Sequence, residues 1–454
     1  MMDLIKFVII FGLYFVAGPL AGVWLANNRT AQRWTVALLV FMTSWHINKL
    51  TLMLNSVETY RGHTKGFEGS LLEVVAIALL VARWREKAAD FRWVPGWAWL
   101  WLLYCACSTL SVFAAPNTTY AWMAAWKFTS AVVILSAGWN AVRDDEDLRW
   151  LARAMAVTLV IQAALVMKMR YVDGFYQVRG WFEHQNPLAM WAYMLGLPLL
   201  ALAMAPVFAR DTRWYAAGFL AAGLAVYGSL SRAALAMFAV GAVVVAGWSL
   251  VLDKFTGKRV RSIATMAGLG LLGLPLVLDT VIARFNDEGN SASGETREMM
   301  NLASKAMAQD SFVGIGWNNF ALTINAPFTY GDVINDWERD RGHKVNVDYA
   351  KGVVESHYWL LLAENGWPGL LTYLLFIGAA HVALLAGWWR WRGTARGAFF
   401  LGLVVALTLL YAHSNLERVL TQTKNLAAYL LILGAALRLA KGRPETAELP
   451  AARR

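Results

Sequence analysis

The amino-acid sequence predicts an all-α polytopic membrane protein of about 12–13 transmembrane helices with one large extracytoplasmic loop. Of its 454 residues, 58% are hydrophobic and only 16% are charged, whereas a soluble domain needs more polar surface to cover its core. Apolar runs as long as a membrane is thick recur along the chain. The 23 Trp agree with this prediction, because Trp collects at membrane–water interfaces.

Each predicted helix is an apolar run, since crossing a hydrocarbon core takes roughly 20 apolar residues. Residues 1–282 hold ten such runs, 283–356 form the large loop, 357–438 hold the last helices and 439–454 form a cytoplasmic tail. The segment 229–232 is either a break between two helices or a polar kink within one. The runs lie near residues 5–26, 34–54, 70–83, 94–114, 119–141, 149–168, 187–206, 214–230, 232–252, 262–282, 357–388, 397–412 and 419–438.

Basic residues set the orientation, because short loops rich in Lys and Arg stay in the cytoplasm. Alternate loops carry them, which places residues 55–69, 169–186, 228–233, 283–356 and 413–418 on the opposite face. The formal charge of +11 is explained by these flanking residues rather than by binding of nucleic acid. The partners expected from composition alone are membrane lipids.

The segment 284–355 is the longest polar stretch, and its irregular backbone cannot face lipid. It contains N-D-E-G-N-S-A-S-G at 286–294, which predicts a turn cluster, and an amphipathic helix is predicted from Thr296 to Gln309.

Four clusters on the extracytoplasmic face carry residues suited to chemistry. They are R-G-W-F-E-H-Q-N-P-L-A from Arg179, S-L-S-R-A-A with Arg232, T-R-E-M-M-N with Arg297 followed by G-I-G-W-N-N-F from Gly314, and E-S-H-Y-W-L-L-L-A-E-N-G-W-P-G-L with His357 and Glu364.

Arginines on this face are unexpected, because Lys and Arg usually lie in cytoplasmic loops, and an anionic ligand would explain them. Guanidinium groups match phosphate bidentately and keep their charge at any physiological pH. Arg232 lies at a membrane boundary, where it either binds such a ligand or reaches ordinary lipid head groups. Arg297 either binds the same ligand or is a solvated loop residue.

His357 can accept a proton at neutral pH, although a histidine at a helix start is more often an interfacial residue. Glu364 lies seven residues later, two turns further into the predicted span, and its simpler interpretation is a structural partner for a buried arginine. Asn186 before Pro187 reads as a helix N-cap. His184 precedes it and is a weaker candidate for chemistry.

Signals for cofactors are missing from the sequence. There is no P-loop and no dinucleotide fingerprint, and the acidic run at 144–147 precedes a helix, where acids complement the helix dipole. Cys105 and Cys107 suit neither a zinc site nor a disulfide. Chemistry on the outer face is therefore expected to use no metal or nucleotide, but a substrate that arrives activated in the membrane.

With these four clusters the chain resembles the superfamily of O-antigen ligases and O-antigen polymerases of the bacterial envelope. The likeness rests on G-W-F-E-H-Q-N-P-L-A, S-L-S-R-A-A, R-x-x-M with G-I-G-W-N-N-F, and S-H-Y-W-L-L-L-A-E-N-G-W-P-G-L, which cover residues 179–370. Gln185, Ala233 and Tyr358 stand where the family usually has Pro, Gly and Asn.

The resemblance implies an inner-membrane glycosyltransferase with a periplasmic active face. Such enzymes move a glycan, with inversion, from an undecaprenyl diphosphate donor to a hydroxyl of a lipid, glycan or protein acceptor, without metal. On this chain it implies that Arg232 and Arg297, with Arg179 in second place, bind the diphosphate, and that His357 is the general base.

Two other functions stay open. A polymerase for O-antigen or exopolysaccharide would use the same donor and extend another lipid-linked repeat. A transporter of lipid-linked oligosaccharides would line a central cavity with charges deep in many spans, whereas the predicted spans carry few, among them Lys49, Lys127 and Glu364.

Overall fold

The computed structural model describes residues 2–45, 51–87, 89–205, 211–252, 289–342 and 351–442, together with residues 268 and 282. These residues form an all-α bundle with one small β-hairpin. Its helices are α1 Met2–Gly12, α2 Gly18–Leu25, α3 Arg29–Met42, α4 Leu71–Arg85, α5 Gly96–Thr109, α6 Thr118–Ser130, α7 Val132–Ala141, α8 Asp145–Tyr171, α9 Gln185–Met204, α10 Thr212–Ser229, α11 Arg232–Leu252, α12 Gly289–Asp310, α13 Phe320–Thr323, α14 Asp332–Asp340, α15 His357–Arg390, α16 Ala395–His413 and α17 Thr423–Lys441. The strands are β1 Thr51–Leu54 and β2 Phe67–Ser70.

Within the described residues, nine helices are long and apolar enough to cross a membrane, which agrees with a multi-pass membrane protein. They are Asp3–Leu25, Gly96–Ala114, Thr118–Ala141, Asp145–Tyr171, Gln185–Met204, Arg232–Leu250, His357–Arg390, Ala395–His413 and Thr423–Lys441. Three further predicted spans overlap α3, α4 and α10, which are shorter or less apolar. The predicted span 262–282 lies outside the described residues, apart from positions 268 and 282.

The helix α9 forms the centre of the bundle and packs against α8, α10, α11 and α16. It is buried from Pro187 to Met204, because it carries apolar side chains around its full circumference. By contrast, very little of the segment Asp3–Leu25 is buried, as expected of an apolar helix whose solvent is lipid.

Ion pairs join the basic loops at one end of the bundle. Asp147 at the start of α8 pairs with Arg33 at 2.8 Å, and Asp211 before α10 pairs with Arg149 at 2.8 Å and with Arg153 at 2.6 Å. The loops predicted to share the cytoplasmic side thus lie together in space.

Four predictions about elements are wrong. The span 34–54 does not exist as one helix, because α3 ends at Met42 and Thr51–Leu54 pairs with Phe67–Ser70 in an antiparallel hairpin. The turn cluster at 286–294 is helical from Gly289 onward, so α12 extends the predicted amphipathic helix in both directions. The last span begins at Thr423 and ends at Lys441, later than the predicted 419–438.

The fourth wrong prediction concerns α15, which is not a straight helix. Gly366 has φ 62° and ψ −167°, which no helical residue adopts. The rings of His357 and Tyr373 lie 5.1 Å apart, whereas sixteen residues of straight helix would separate them by about 24 Å. The leg from 357 to 365 therefore folds back along the leg that begins at 367, so Glu364 does not lie deeper in the span than His357.

The segment 229–232 is a break between α10 and α11 rather than a kink. Leu230 adopts a left-handed conformation with φ 50°, and the Ser229 hydroxyl accepts a hydrogen bond from the Ser231 N–H at 3.2 Å.

Candidate functional site

Helix ends from distant parts of the chain meet at the end of the bundle opposite the ion pairs. The His357 N–H donates to the Ser414 carbonyl at 2.8 Å, which ties the start of α15 to the end of α16. The Asn425 amide donates to the Pro187 carbonyl at 2.9 Å, which ties the start of α17 to the start of α9.

A cavity of about 380 Å³ opens between these helix ends. Its wall mixes cationic, acidic and imidazole side chains, a composition suited to a charged polar ligand. The lining residues are Thr51, Met53, Gly62, His63, Lys65, Glu68, Lys127, Glu183, His184, Pro187, Glu355, Glu417, Arg418, Val419, Thr421, Gln422 and Thr423.

Arg418 is the most unusual residue of this wall. It opens to the cavity but is otherwise enclosed by protein, and this burial lowers the pKa of its guanidinium below the ordinary value. Its guanidinium makes no hydrogen bond or ion pair with any residue that the structure describes, although four glutamates lie within electrostatic range. A buried charge is costly unless it is paired, so Arg418 calls for an anionic partner in the cavity.

Glu417 links three of the sequence clusters. Its carboxylate accepts a hydrogen bond from the Asn186 amide and one from the Arg297 guanidinium at 3.4 Å. Arg297 also donates to Glu355 at 2.6 Å. Burial raises the pKa of Glu417 to about 7, and the neighbouring charge of Glu355 adds to this effect. The guanidinium of Arg297, which the sequence analysis assigned to a diphosphate, is therefore paired with two carboxylates.

The first sequence cluster is only partly arranged as predicted. His184, not Asn186, is the N-cap of α9, so the interpretation of Asn186 as N-cap is wrong. His184 lines the cavity, and burial lowers the pKa of its imidazole. Arg179 is exposed and donates to the Glu183 carbonyl at 3.4 Å.

Two further predicted residues do not line the cavity. Arg232 is half-buried at the first residue of α11, and Arg297 reaches the cavity only through Glu355 and Glu417. Among the described residues that line the cavity, neither is present.

His357 lies next to the cavity without lining it. Its side chain is buried, both ring nitrogens lack a hydrogen-bond partner among the described residues, and its ring stands edge-on to Tyr373 at 5.1 Å. Arg418 and His63 are close enough to act on it electrostatically. An imidazole without a hydrogen-bond partner beside a cavity lined by charged groups is available for proton transfer.

Glu364 pairs with a histidine rather than with the expected arginine. Its Oε2 lies 3.0 Å from His63 Nε2, and its Oε1 accepts a hydrogen bond from the Phe320 N–H at 3.1 Å. Both side chains of this pair are almost fully buried, at 1% and 2% exposure.

The motif G-I-G-W-N-N-F holds this pair in place. The Gly316 N–H donates to the Glu364 carbonyl at 3.1 Å, and Asn318 bonds the backbone of Thr64, beside His63, in both directions at 2.8 Å and 3.1 Å. Gly314 has φ 85°, and an added Cβ would collide with the Glu364 backbone. The motif therefore positions the loop before β2 against the fold-back of α15.

No family model matches this chain, and no curated protein sequence matches it. The resemblance to the ligase and polymerase superfamily therefore stays a prediction that rests on the sequence motifs.

Sequence reasoning missed Arg418, Glu417 and His63 as site residues. Arg418 and Glu417 lie in the short segment 413–418, which the orientation places on the face opposite the basic loops, so the argument made for Arg232 applied equally to Arg418. Glu417 carries no signal of this kind. His63 carries no signal of its own, because its partner Glu364 is 301 residues away. Lys127 was noted as a charge within a span, and it pairs with Glu68 at 3.3 Å in the cavity wall.

Proposed function

We propose that this protein is a membrane glycosyltransferase that moves a glycan from an undecaprenyl diphosphate-linked donor to an acceptor hydroxyl. The observation that carries the proposal is Arg418, an enclosed guanidinium that opens into a cavity of about 380 Å³ and has no hydrogen bond or ion pair among the described residues. A diphosphate supplies the charge and the bidentate oxygens that such a group binds best.

Arg297 is the second diphosphate ligand in this proposal. In the substrate-free protein its guanidinium contacts Glu355 and Glu417 at 2.6 Å and 3.4 Å. An entering diphosphate displaces these carboxylates, and Glu417, with a pKa of about 7, takes up a proton at little cost. Arg232 and Arg179 contact the donor further from the cavity centre.

The reaction needs stabilisation of the leaving group and a base. As the bond between the sugar carbon and the diphosphate oxygen breaks, charge accumulates on the diphosphate, and Arg418 and Arg297 stabilise it. The acceptor oxygen attacks the opposite face of the sugar and inverts the anomeric centre. His357 takes the proton of that hydroxyl.

The acceptor decides between the variants of this proposal. A ligase joins the glycan to lipid A core or to a protein, and a polymerase joins it to another lipid-linked repeat. We favour a ligase, with the cavity facing the periplasm of a bacterial inner membrane. Accumulated lipid-linked polymer in a deletion strain supports a ligase, whereas single capped repeats support a polymerase.

Transfer by the purified protein from a synthetic polyprenyl diphosphate sugar tests the proposal. We expect His357→Ala to abolish transfer while donor binding persists, because the base acts only on the acceptor. Arg297→Ala and Arg232→Ala should weaken donor binding as well as transfer. Arg339→Ala is the matched control, since Arg339 pairs with Asp336 at an exposed site. Normal transfer by His357→Ala would remove the base assignment, and absence of donor binding by the wild type would remove the function.

Accessibility labelling of single-cysteine variants tests the orientation. Cysteines at Arg179 and Asn415, which are exposed at the cavity end, should react with an impermeant reagent added from the periplasmic side. Reaction of the two positions from opposite sides would contradict the proposed topology.

A further inference from the structure

A second group of polar side chains lies buried between α5 and the two legs of α15. Tyr104, Ser108, His357, Asn365 and Tyr373 are each at most 2% exposed. Five of their polar atoms have no hydrogen-bond partner among the described residues: the Tyr373 hydroxyl, both ring nitrogens of His357 and both amide atoms of Asn365. The hydroxyls of Tyr104 and Ser108 interact with each other.

These five side chains form one contiguous cluster. The ring of Tyr373 lies 5.1 Å from that of His357 and 5.4 Å from that of Tyr104. Ser108 follows Tyr104 by one helical turn on the same face of α5. Gly369 has Ser108 and Asn365 as its nearest neighbours, so they lie side by side at the other end of the cluster. The fold-back at Gly366 is what brings His357 to Tyr373.

Proteins rarely bury such atoms without a partner. More than about 90% of buried polar groups are hydrogen-bonded to protein or to ordered water, and leaving one unpaired costs about 1–3 kcal/mol. A single unpaired hydroxyl can be tolerated, but five adjacent polar atoms without a partner among the described residues indicate a shared partner. The cluster contains both donors and acceptors, which suits water because water both donates and accepts.

We propose that this cluster is a binding site for ordered water and that the bound water orients the imidazole of His357. A water that accepts the N–H of one ring nitrogen leaves the lone pair of the other nitrogen for the acceptor hydroxyl. Tyr373 and Tyr104 are positioning residues that hold this water. The water site stands on its own geometry, and its effect on His357 rests on the proposed function.

Pulsed X-ray radiolysis tests the water site without any measurement of activity, because it generates hydroxyl radicals from water bound inside a protein. Tyr373 should be oxidised faster than Tyr429, a matched control of equal burial whose hydroxyl is paired with that of Tyr411 at 2.8 Å. Equal rates for the two tyrosines would overturn the proposal.

The variant Tyr373→Phe distinguishes a hydrated cluster from a dry one by the sign of its effect on the unfolding temperature. A hydroxyl bonded to water is lost at a cost, so the unfolding temperature should fall or stay level. A dry, unpaired hydroxyl is better removed, so a rise in the unfolding temperature would count against bound water. Tyr358→Phe is the control, since its hydroxyl donates to the Tyr411 carbonyl at 2.9 Å.

The effect on His357 is measured in the transfer assay. Tyr373→Phe should lower kcat at least tenfold with the donor KM unchanged, and the acid limb of its pH–rate profile should move to lower pH, because less water supports the imidazolium. Arg418 and His63, the charged groups near the ring, are unaltered in this variant. Wild-type kcat and pH profile in Tyr373→Phe would refute the positioning role, whereas absence of transfer by the wild type would refute the proposed function and leave the radiolysis result standing.

Discussion

Replacing Arg418 by Met should stabilise the protein and weaken donor binding at the same time. Met preserves much of the length and apolar volume of the arginine stem and removes the charge. The charge has no hydrogen bond or ion pair among the described residues, so its removal should raise the free energy of unfolding by roughly 1–3 kcal/mol, the cost of an unsatisfied buried polar group. If Arg418 served only to stabilise the fold, Arg418→Met would lower the free energy of unfolding.

The loss of affinity follows from the two hydrogen bonds that a guanidinium makes with a phosphate. Each bond to a charged group contributes about 1.5–3 kcal/mol, so the two together correspond to roughly a 10²- to 10⁴-fold weaker donor affinity. Arg418→Lys keeps the charge but loses the two parallel N–H donors of the guanidinium. Its donor affinity should therefore lie between those of the wild type and Arg418→Met.

Two measurements check this prediction in the purified protein. Thermal unfolding followed by Trp fluorescence gives the stability, and calorimetric titration with a short-chain polyprenyl diphosphate sugar gives the affinity. Arg153→Met, at the opposite end of the bundle, breaks an ion pair with Asp211 and should destabilise the protein while leaving donor affinity unchanged. An Arg418→Met protein that is less stable and binds the donor normally would refute the reasoning.

Two further predictions concern charge and backbone. As the pH falls from 8 to 6, donor affinity should rise, because Glu417, with a pKa of about 7, becomes neutral while a diphosphate diester keeps its charge. Burial lowers the pKa of His184, so His184 contributes little to this change. The donor affinity of Glu417→Gln should not change with pH over this range. The same raised pKa means that Glu417 binds its proton more tightly in the folded state, so its contribution to stability should decline as the pH rises from about 4.5 to about 7. Gly366→Ala should lower the unfolding temperature sharply, since φ 62° with ψ −167° is a conformation that essentially only glycine adopts and that costs other residues about 1–3 kcal/mol. The Cβ of Ala would also collide with the backbone of residues 312–313. The control Gly378→Ala, on the same helix and with open space around it, should be neutral or slightly stabilising; equal destabilisation of the two variants would show that the fold-back does not need a glycine.

Apolar runs were sufficient to predict most helices. A segment in lipid must satisfy its backbone hydrogen bonds within itself, so a continuous apolar run predicts a helix. The fold-back of α15 escaped this reasoning because both legs are apolar. Its length of 32 predicted residues and the sequence G-W-P-G from Gly366 were the available signals, since glycine permits a left-handed turn and Pro368 fits the first turn of a new helix. The strand Thr51–Leu54 escaped because a short apolar segment reads equally as strand or helix.

The site was harder to predict than the fold. Sequence motifs located Arg297, His357 and Glu364, each of which lies near the cavity or next to a residue that lines it. They could not show that Glu364 pairs with His63, because that contact joins residues far apart in sequence. The pairing partner of a buried charge depends on tertiary packing, which no local pattern encodes.

The anchoring of His357 to the Ser414 carbonyl has a consequence for the order of assembly. The four motifs end near residue 370, yet the backbone N–H of His357 is held by the carbonyl that follows α16, and Arg418 to Thr423 complete the cavity wall. During translation, a nascent chain that contains every motif still lacks one side of the cavity. In the proposed enzyme, transfer therefore requires that the last two helices have inserted.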